Sequence, residues 1–394
     1  MKKLMNQVIK GDFAKTIKRK VEYSQEITDL LKISSVNAQN RFFKTDSLVQ
    51  AEQTPFEVIY QEDIIKLRYY PPLNESEIEV DGETLAVNPN THRIPLVLVA
   101  PLAVNMYIYD LFQDRSLVKY LRARGFELYL VDWGRPGWKQ NHFTIETYVA
   151  KWLPKLIDQV KQHSGSSEVS LHGWSFGGLF SACYGALDQQ GVKNLALIGA
   201  PCDYHANGQL GVQYQRISRN MKWLERRTGW KVHNTRQRWW RSPGWVNSMM
   251  FKLTNPVGSI KGYVDLLKNL HDEEYVTSHA TNGAFLDDMV AYPGAVIQDV
   301  IQFLWVENRL AKGELPLRND EVSFSNVTAD MLLVSGKQDP IVTTDCTQRF
   351  MDLVSSKTLD THEVKGGHMG ILSGSNAPKD IWPVVADWLE ARSQ

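Results

Sequence analysis

A serine lies between glycines in the segment Leu171–Gly178, which reads LHGWSFGG. Gly173 and Gly177 flank Ser175 with the spacing G-x-S-x-G, after an apolar run that predicts a strand and before a segment, GGLFSACYGALDQQ, that predicts a helix. In such a strand-turn-helix the serine hydroxyl is presented at a tight turn, and only glycines leave room for the backbone to close around it. The pattern therefore predicts that Ser175 is a nucleophile.

A serine hydroxyl is a weak nucleophile at neutral pH and needs a base that is itself oriented by an acid. Asp339 ends the apolar segment MLLVSGKQD, and His368 follows THEVKGG in a glycine-flanked loop. Both would lie at the carboxyl ends of late strands, where open parallel sheets place their sites. We therefore predict that Asp339 and His368 complete a catalytic triad with Ser175. Asp345 is the alternative acid, and His172 is expected to be a hydrogen-bonded core residue.

Acyl transfer also needs hydrogen-bond donors for the negative oxygen that develops in the transition state. The backbone amide of Phe176, directly after the serine, is expected to supply one donor. The second is expected from the loop APLAVN after an earlier strand, at Leu102 or Ala103, between which the sequence does not decide.

The elements that must position these residues follow an alternating pattern from residue 94 onward. Short apolar runs such as IPLVLVAP, FELYLVDW and NLALIGAP alternate with segments of helical periodicity, which predicts an α/β fold with a mostly parallel, doubly wound sheet. The alternation stops after residue 200 and resumes at residue 331, so we expect an inserted, largely helical cap. The predicted divisions are a helical N-terminal extension with lead-in (1–75), the first part of the core (76–200), the cap (201–330) and the second part of the core (331–394).

The N-terminal extension contains an apolar residue at every fourth position between lysines: Met5, Ile9, Phe13, Ile17 and Val21. This spacing predicts one face of a helix. Such a face would pack on the main domain or on a partner, or a basic amphipathic helix would lie on an anionic membrane or granule surface.

Residues 216–241 of the predicted cap are basic and rich in tryptophan, with Glu225 as their single acid. Guanidinium groups bind phosphates, so this stretch could bind a coenzyme A thioester or an anionic lipid surface. The alternative is a solvated basic helix whose tryptophans pack into the cap. The candidates for substrate binding are Trp239, Trp240, Arg236, Arg238 and Arg241.

Composition excludes several classes of function. Lysine plus arginine and aspartate plus glutamate both number 44, so the overall charge does not favour a nucleic-acid partner. The three cysteines have no CxxC spacing, which argues against a disulfide framework and a cysteine-rich zinc site. The sequence shows neither a signal-peptide pattern nor an apolar run long enough to span a membrane. We therefore expect a cytoplasmic protein without a metal or a cofactor.

Several segments together resemble polyhydroxyalkanoate synthases, especially the shorter class III type that works with a second subunit. They span about residues 90–394 and include the serine motif, GAPCDY, YPGAVIQDVIQFLWVENRLAKGEL and GGHMGILSGSNAPKDIWPVVADWLEARS. The resemblance implies an α/β-hydrolase core with a cap, and it places the nucleophile, acid and base at Ser175, Asp339 and His368. Members of this family polymerise 3-hydroxyacyl-CoA and hold the growing chain on a cysteine, where this chain has serine.

The presence of serine instead of cysteine at position 175 favours some of the remaining functions over others. An ester of serine lies downhill from a thioester, so Ser175 favours hydrolysis or one-way transfer over reversible exchange with a thiol. The leading prediction is a serine esterase, thioesterase or acyltransferase that acts on acyl or 3-hydroxyacyl esters or thioesters, with coenzyme A only as part of the substrate. The alternatives are a polyhydroxyalkanoate synthase and a non-catalytic protein that binds a polymer granule or a membrane surface. A homodimer or a second subunit stays open.

Overall fold

The computed structural model describes residues 23, 25, 27–253, 256–317 and 321–393. The predicted helix face formed by Met5, Ile9, Phe13, Ile17 and Val21 lies outside these residues. Among the described helices, none combines the length and the apolar character that crossing a membrane requires. The chain forms two compact units, one of residues 1–50 and 255–284, the other of residues 51–254 and 285–394.

The larger unit is built on an eight-stranded sheet. In spatial order the strands run β1-β2-β4-β3-β5-β6-β7-β8, and every pair from β4 to β8 is parallel, whereas β1 and β2 are antiparallel to their neighbours. The sheet confirms the predicted α/β fold with a mostly parallel sheet. In chain order the strands are β1 (Glu57–Glu62), β2 (Ile65–Tyr70), β3 (Leu96–Val99), β4 (Leu128–Asp132), β5 (Val169–Trp174), β6 (Val192–Ile198), β7 (Asp330–Gly336) and β8 (Leu359–Val364).

The central strands are buried along their whole length. Every residue of β3, β4 and β5 is buried, as expected for the apolar runs of a parallel sheet that is covered on both faces. The carboxyl ends of β3, β5, β7 and β8 lie at one edge of the sheet, because these strands are parallel. The loops that carry the predicted site residues therefore begin at the same edge.

Twelve α-helices with both ends defined lie within the described residues, and two π-helical segments, Thr147–Trp152 and Val300–Val306, adjoin two of them. A further helix covers residues 27–43. The twelve are α1 (Leu117–Ala123), α2 (Leu153–Ser164), α3 (Phe176–Leu187), α4 (Gly208–Thr228), α5 (Gly244–Leu253), α6 (Pro256–Lys268), α7 (Glu273–Asp287), α8 (Gly294–Asp299), α9 (Thr344–Gln348), α10 (Gly370–Ser373), α11 (Ala377–Asp380) and α12 (Trp382–Glu390).

Among the described residues, the α-helices of the smaller unit are the helix of residues 27–43, α6 and most of α7. The side-chain amide of Asn37 donates to the Leu270 carbonyl at 2.9 Å, and Arg41 Nε donates to His279 Nδ1 at 3.2 Å. These bonds join the N-terminal segment to residues 255–284, although the two segments are far apart in the sequence.

The compact units do not follow the predicted domain boundaries, which stay predictions. Residues 255–284 of the predicted cap group with the N-terminal segment, and β1 and β2, within the predicted lead-in, belong to the main sheet. The rest of the predicted cap is largely helical, as expected, with one short ribbon of Glu314–Pro316 and Glu321–Ser323.

Candidate active site

Ser175 occupies a strained turn between β5 and α3. Its backbone has φ 55° and ψ −123°, a conformation that costs free energy for any residue with a side chain. Its amide donates to the Ile198 carbonyl at 2.8 Å, which fixes the turn to the neighbouring strand β6. A Cβ atom at Gly173 or Gly177 would overlap the backbone that packs there, so both glycines of the motif are required by close approach.

His368 lies between Ser175 and Asp339. His368 Nε2 is 2.8 Å from Ser175 Oγ, and His368 Nδ1 is 2.7 Å from Asp339 Oδ2. The Asp339 side chain is fully buried and the His368 side chain is 6% exposed, whereas Ser175 is half-buried. The structure thus brings together the three residues that the sequence singled out, in the order that acyl transfer requires.

The turn that follows β7 holds the carboxylate of Asp339. Its Oδ1 atom accepts hydrogen bonds from the amides of Ile341 and Val342 at 2.8 and 2.9 Å, which leaves Oδ2 for His368. Asp345, the alternative acid, is exposed in the first turn of α9 and does not contact the histidine.

His172 is buried in β5, as the sequence predicted. Its Nδ1 atom has no hydrogen-bond partner in the described part of the chain. Burial lowers the pKa of His172 to about 4, so the ring is neutral at neutral pH.

The two backbone segments expected to bind the developing oxyanion begin close together, one at the start of α3 and the other after the end of β3. Phe176 is the first residue of α3, so its amide has no acceptor within the helix. A Cβ atom at Gly177 would overlap the carbonyl of Val99, which places the start of α3 against the end of β3. Leu102 and Ala103 follow β3, and Ala103 has a positive φ of 66°. Neither of their amides donates a hydrogen bond to the described residues.

The five cap candidates fall into two groups. Arg241 donates to the carbonyls of Pro136 and Gly137 at 2.9 and 3.1 Å, and Trp240 Nε1 donates to Thr235 Oγ1 at 2.5 Å, so both stabilise the local backbone and side-chain structure. Trp239 is 66% exposed, with the guanidinium of Arg236 5.9 Å from its ring centre.

Arg236 and Arg238 line a cavity of about 890 Å³. Neither guanidinium lies within ion-pair distance of a carboxylate among the described residues. Asp299, in the same wall, has both oxygens occupied, by His233 Nε2 at 2.9 Å and by the Ile145 amide at 2.9 Å. None of the three triad residues lines this cavity.

Two further residues of the site carry no signal in the sequence patterns above. Trp174 Nε1 donates to the carbonyl of His368 at 3.0 Å. The side-chain amide of Asn207 donates to the Ile341 carbonyl and accepts from the Thr343 amide, both in the segment after Asp339. Trp174 occupies the variable position before the serine, which marks it as adjacent to the site but does not predict its partner.

Comparisons with known proteins agree with this architecture. The family model of the alpha/beta hydrolase fold matches residues 102–375. The chain is 28% identical to the poly(3-hydroxyalkanoate) polymerase subunit PhaC of Haloferax mediterranei, over 96% of this chain and 71% of the relative. It is 27% identical to the protein of the same name from Haloarcula marismortui, over 94% of this chain and 74% of the relative. These matches confirm the resemblance to polyhydroxyalkanoate synthases.

The solved structures that match this chain include a monoacylglycerol lipase of Paleococcus ferrophilus. It is 18% identical to this chain, covers 77% of this chain and 96% of its own, and superposes with a TM-score of 0.46.

Proposed function

Because the chain belongs to the alpha/beta hydrolase fold family, and is an enzyme of the hydrolase and acyltransferase kind, we propose that it polymerises 3-hydroxyacyl groups from coenzyme A thioesters through Ser175. The observation that carries this proposal is the hydrogen-bonded series from Ser175 through His368 to Asp339, with separations of 2.8 and 2.7 Å. The substrate class comes from the relatives, which are named poly(3-hydroxyalkanoate) polymerases.

The first step transfers an acyl group to the serine. His368 Nε2 takes the proton of the Ser175 hydroxyl as Oγ attacks the thioester carbonyl, and Asp339 stabilises the imidazolium through Nδ1. The amide of Phe176, with that of Leu102 or Ala103, stabilises the negative oxygen. The carbon–sulfur bond then breaks, the thiolate takes the proton from His368, and coenzyme A leaves.

The second step moves the acyl group to a hydroxyl. His368 takes the proton from the 3-hydroxyl of a second 3-hydroxyacyl-CoA, whose oxygen attacks the ester on Ser175 and releases the serine as a free hydroxyl after proton return. The product is a thioester lengthened by one unit, which can acylate Ser175 again. Both esters in this exchange are oxygen esters, so the exchange lies near balance, and acylation by the thioester supplies the driving force.

Hydrolysis is the second candidate, and the serine itself favours it. The resemblance implies a cysteine at this position, and an acyl-serine that meets water instead of a hydroxyacyl group gives a free 3-hydroxy acid. The steps before the acceptor enters are the same for both candidates, so what differs is whether the site holds a second hydroxyacyl group against Ser175.

We place the phosphates of the coenzyme A portion at Arg236 and Arg238. Both guanidinium groups lie in the wall of a cavity whose volume of about 890 Å³ is within the range of small-molecule sites. Ala295 also lies in this wall. Three residues earlier in the chain, the ring of Tyr292 lies 6.4 Å from the ring of Phe176, the residue after Ser175. Tyr292 and Ala295 are three residues apart, so the chain between them spans at most about 10 Å.

The relatives are named as subunits, and on that ground we propose that this chain also acts in an assembly, with a second copy or a second chain. Sedimentation of the purified protein across a concentration series would detect the first, and co-purification from its native cells would detect the second.

Incubation with 3-hydroxybutyryl-CoA separates the two functions. Coenzyme A release measured together with the products by mass spectrometry should show chains of several hydroxybutyryl units and little free acid. Free 3-hydroxybutyrate in equal amount to coenzyme A would establish hydrolysis instead. The variant Ser175→Ala should release neither product.

A further inference from the structure

We propose that Trp174 is a positioning residue for His368, which rests on the proposed role of His368 as the base. The indole of Trp174 is 1% exposed at the end of β5, and its Nε1 atom donates to the carbonyl oxygen of His368 at 3.0 Å. The two ring centres are 5.3 Å apart. The residue directly before the nucleophile thus holds the backbone of the residue that deprotonates it.

The topology shows why this contact is needed. His368 follows β8, at the end of the sheet, whereas Ser175 follows β5, and β6 and β7 lie between the two strands. Three strand spacings correspond to about 14 Å, so the loop after β8 must run back across two strands to bring its histidine to the serine. The hydrogen bond from Trp174 to the His368 carbonyl, at the end of that loop, fixes the position of the histidine.

The loop that leads to His368 contains two glycines, so its conformation depends on hydrogen bonds to the residues around it. Gly366 has a φ of 145°, a conformation that glycine adopts readily and other residues rarely do, and Gly367 follows it. The amide of Gln338 donates to the Gly366 carbonyl at 3.1 Å, and the amide of Ile371 donates to the Gly367 carbonyl at 3.0 Å. Trp174 adds a bond to the next carbonyl, that of His368 itself.

The histidine has little positional freedom if it is to act as the base. Its two ring nitrogens must stay at 2.7 Å from Asp339 and 2.8 Å from Ser175 at the same time. Catalytic groups must be held to within about 0.5 Å of their productive geometry. Loss of the indole donor should therefore slow proton transfer while the substrate-binding surfaces stay as they are.

The test removes the indole N–H of Trp174 in two ways, one that changes the shape of the side chain and one that keeps it. Trp174→Phe removes the donor and part of the ring. Site-specific replacement of Trp174 by 3-benzothienylalanine keeps the bicyclic shape and removes only the donor, so it keeps the test informative if Trp174→Phe folds poorly. Trp152→Phe is the packing control, because the Trp152 indole is 2% exposed and its Nε1 atom has no partner among the described residues.

Both changes at Trp174 should lower kcat for 3-hydroxybutyryl-CoA by about tenfold and leave KM within about twofold, the pattern of a misplaced catalytic group. Labelling by a fluorophosphonate should slow by a similar factor, and the downfield proton resonance of His368 Nδ1 should shift or broaden. Trp152→Phe should alter thermal stability without these three effects.

Fluorophosphonate labelling does not depend on the acceptor, so this proposal can fail separately from the proposed function. A wild-type protein that is labelled at Ser175 but forms no polymer would refute polymer synthesis and leave the Trp174 comparison valid. Unchanged kcat, labelling rate and His368 resonance in the benzothienylalanine protein would refute the positioning role.

Discussion

Asn207 binds the backbone of Thr343, and that of Ile341 two residues earlier, with one side chain. Its Oδ1 atom accepts from the Thr343 amide at 2.8 Å, and its Nδ2 atom donates to the Ile341 carbonyl at 2.6 Å. Asn207 is 1% exposed and lies directly before α4. The same segment supplies the amides that hold Asp339, so a residue near the start of the predicted cap stabilises the loop of the proposed catalytic acid.

Asn207→Ala should therefore lower kcat by about tenfold, because the Asp339 loop loses two hydrogen bonds and the histidine loses precise orientation. It should also lower the free energy of unfolding by about 1–3 kcal/mol. Asn194→Ala is the control, since Asn194 is a fully buried asparagine that bonds Ser170 between β6 and β5. It should destabilise the protein without changing kcat, and equal effects of both variants on kcat would contradict the assignment.

Ser175, His368 and Asp339 should act as one unit. Ser175→Ala, His368→Ala and Asp339→Asn should each lower kcat/KM by about three orders of magnitude or more, and combining His368→Ala with Ser175→Ala should add almost nothing. The measurement is coenzyme A release by the single and double variants. If the losses of the single variants multiplied in the double variant, the three residues would not form a triad.

Arg236→Gln and Arg238→Gln together should raise KM for 3-hydroxybutyryl-CoA by about tenfold, because each guanidinium is expected to bind a phosphate. They should not change KM for 3-hydroxybutyryl-pantetheine, which lacks the phosphates, and added salt should reduce the difference between the substrates. Arg227→Gln is the control, because Arg227 belongs to the same basic stretch but lies on α4, outside the cavity. Equal changes for both substrates would assign Arg236 and Arg238 a structural role.

His172 should make the fold sensitive to acid. Burial lowers its pKa to about 4, whereas the unfolded chain binds the proton near the ordinary value of 6.5. Between these values the unfolded state binds more protons, so stability falls as the pH falls from about 6.5 to about 4, by about 3 kcal/mol in total. Urea unfolding at a series of pH values should show a shallower loss for His172→Leu. An unchanged pH dependence in that variant would exclude His172 as its source.

The sequence could single out Ser175 and Asp339 because each follows an apolar run that forms a buried parallel strand. His368 follows β8, a polar strand of half-buried and exposed residues, and its signal is the glycine-flanked loop instead. The sequence could not identify Trp174 or Asn207, because their roles are contacts with residues that are distant in the chain and carry no local pattern. The basic stretch shows a related limit: Arg236, Arg238 and Arg241 have the same local signal. Only the fold separates the two that line a cavity from the one that bonds carbonyls.

The N-terminal part of the sheet also could not be predicted from the apolar pattern. β1 contains charged residues and is mostly half-buried or exposed, and β2 alternates buried with half-buried positions, so neither resembles the apolar runs of the core. These strands form because β2 pairs antiparallel with β4, and that pairing depends on tertiary contacts.

The most direct test is the covalent state of Ser175 during turnover. The protein is mixed with 3-hydroxybutyryl-CoA, quenched in acid within the first turnovers, digested and examined by mass spectrometry at the peptide that contains Ser175. We predict hydroxybutyryl chains of increasing length on this serine, with one coenzyme A released for each unit. A serine that stays unmodified while substrate is consumed would contradict the account, and a serine that carries only single units while free acid accumulates would contradict polymer synthesis.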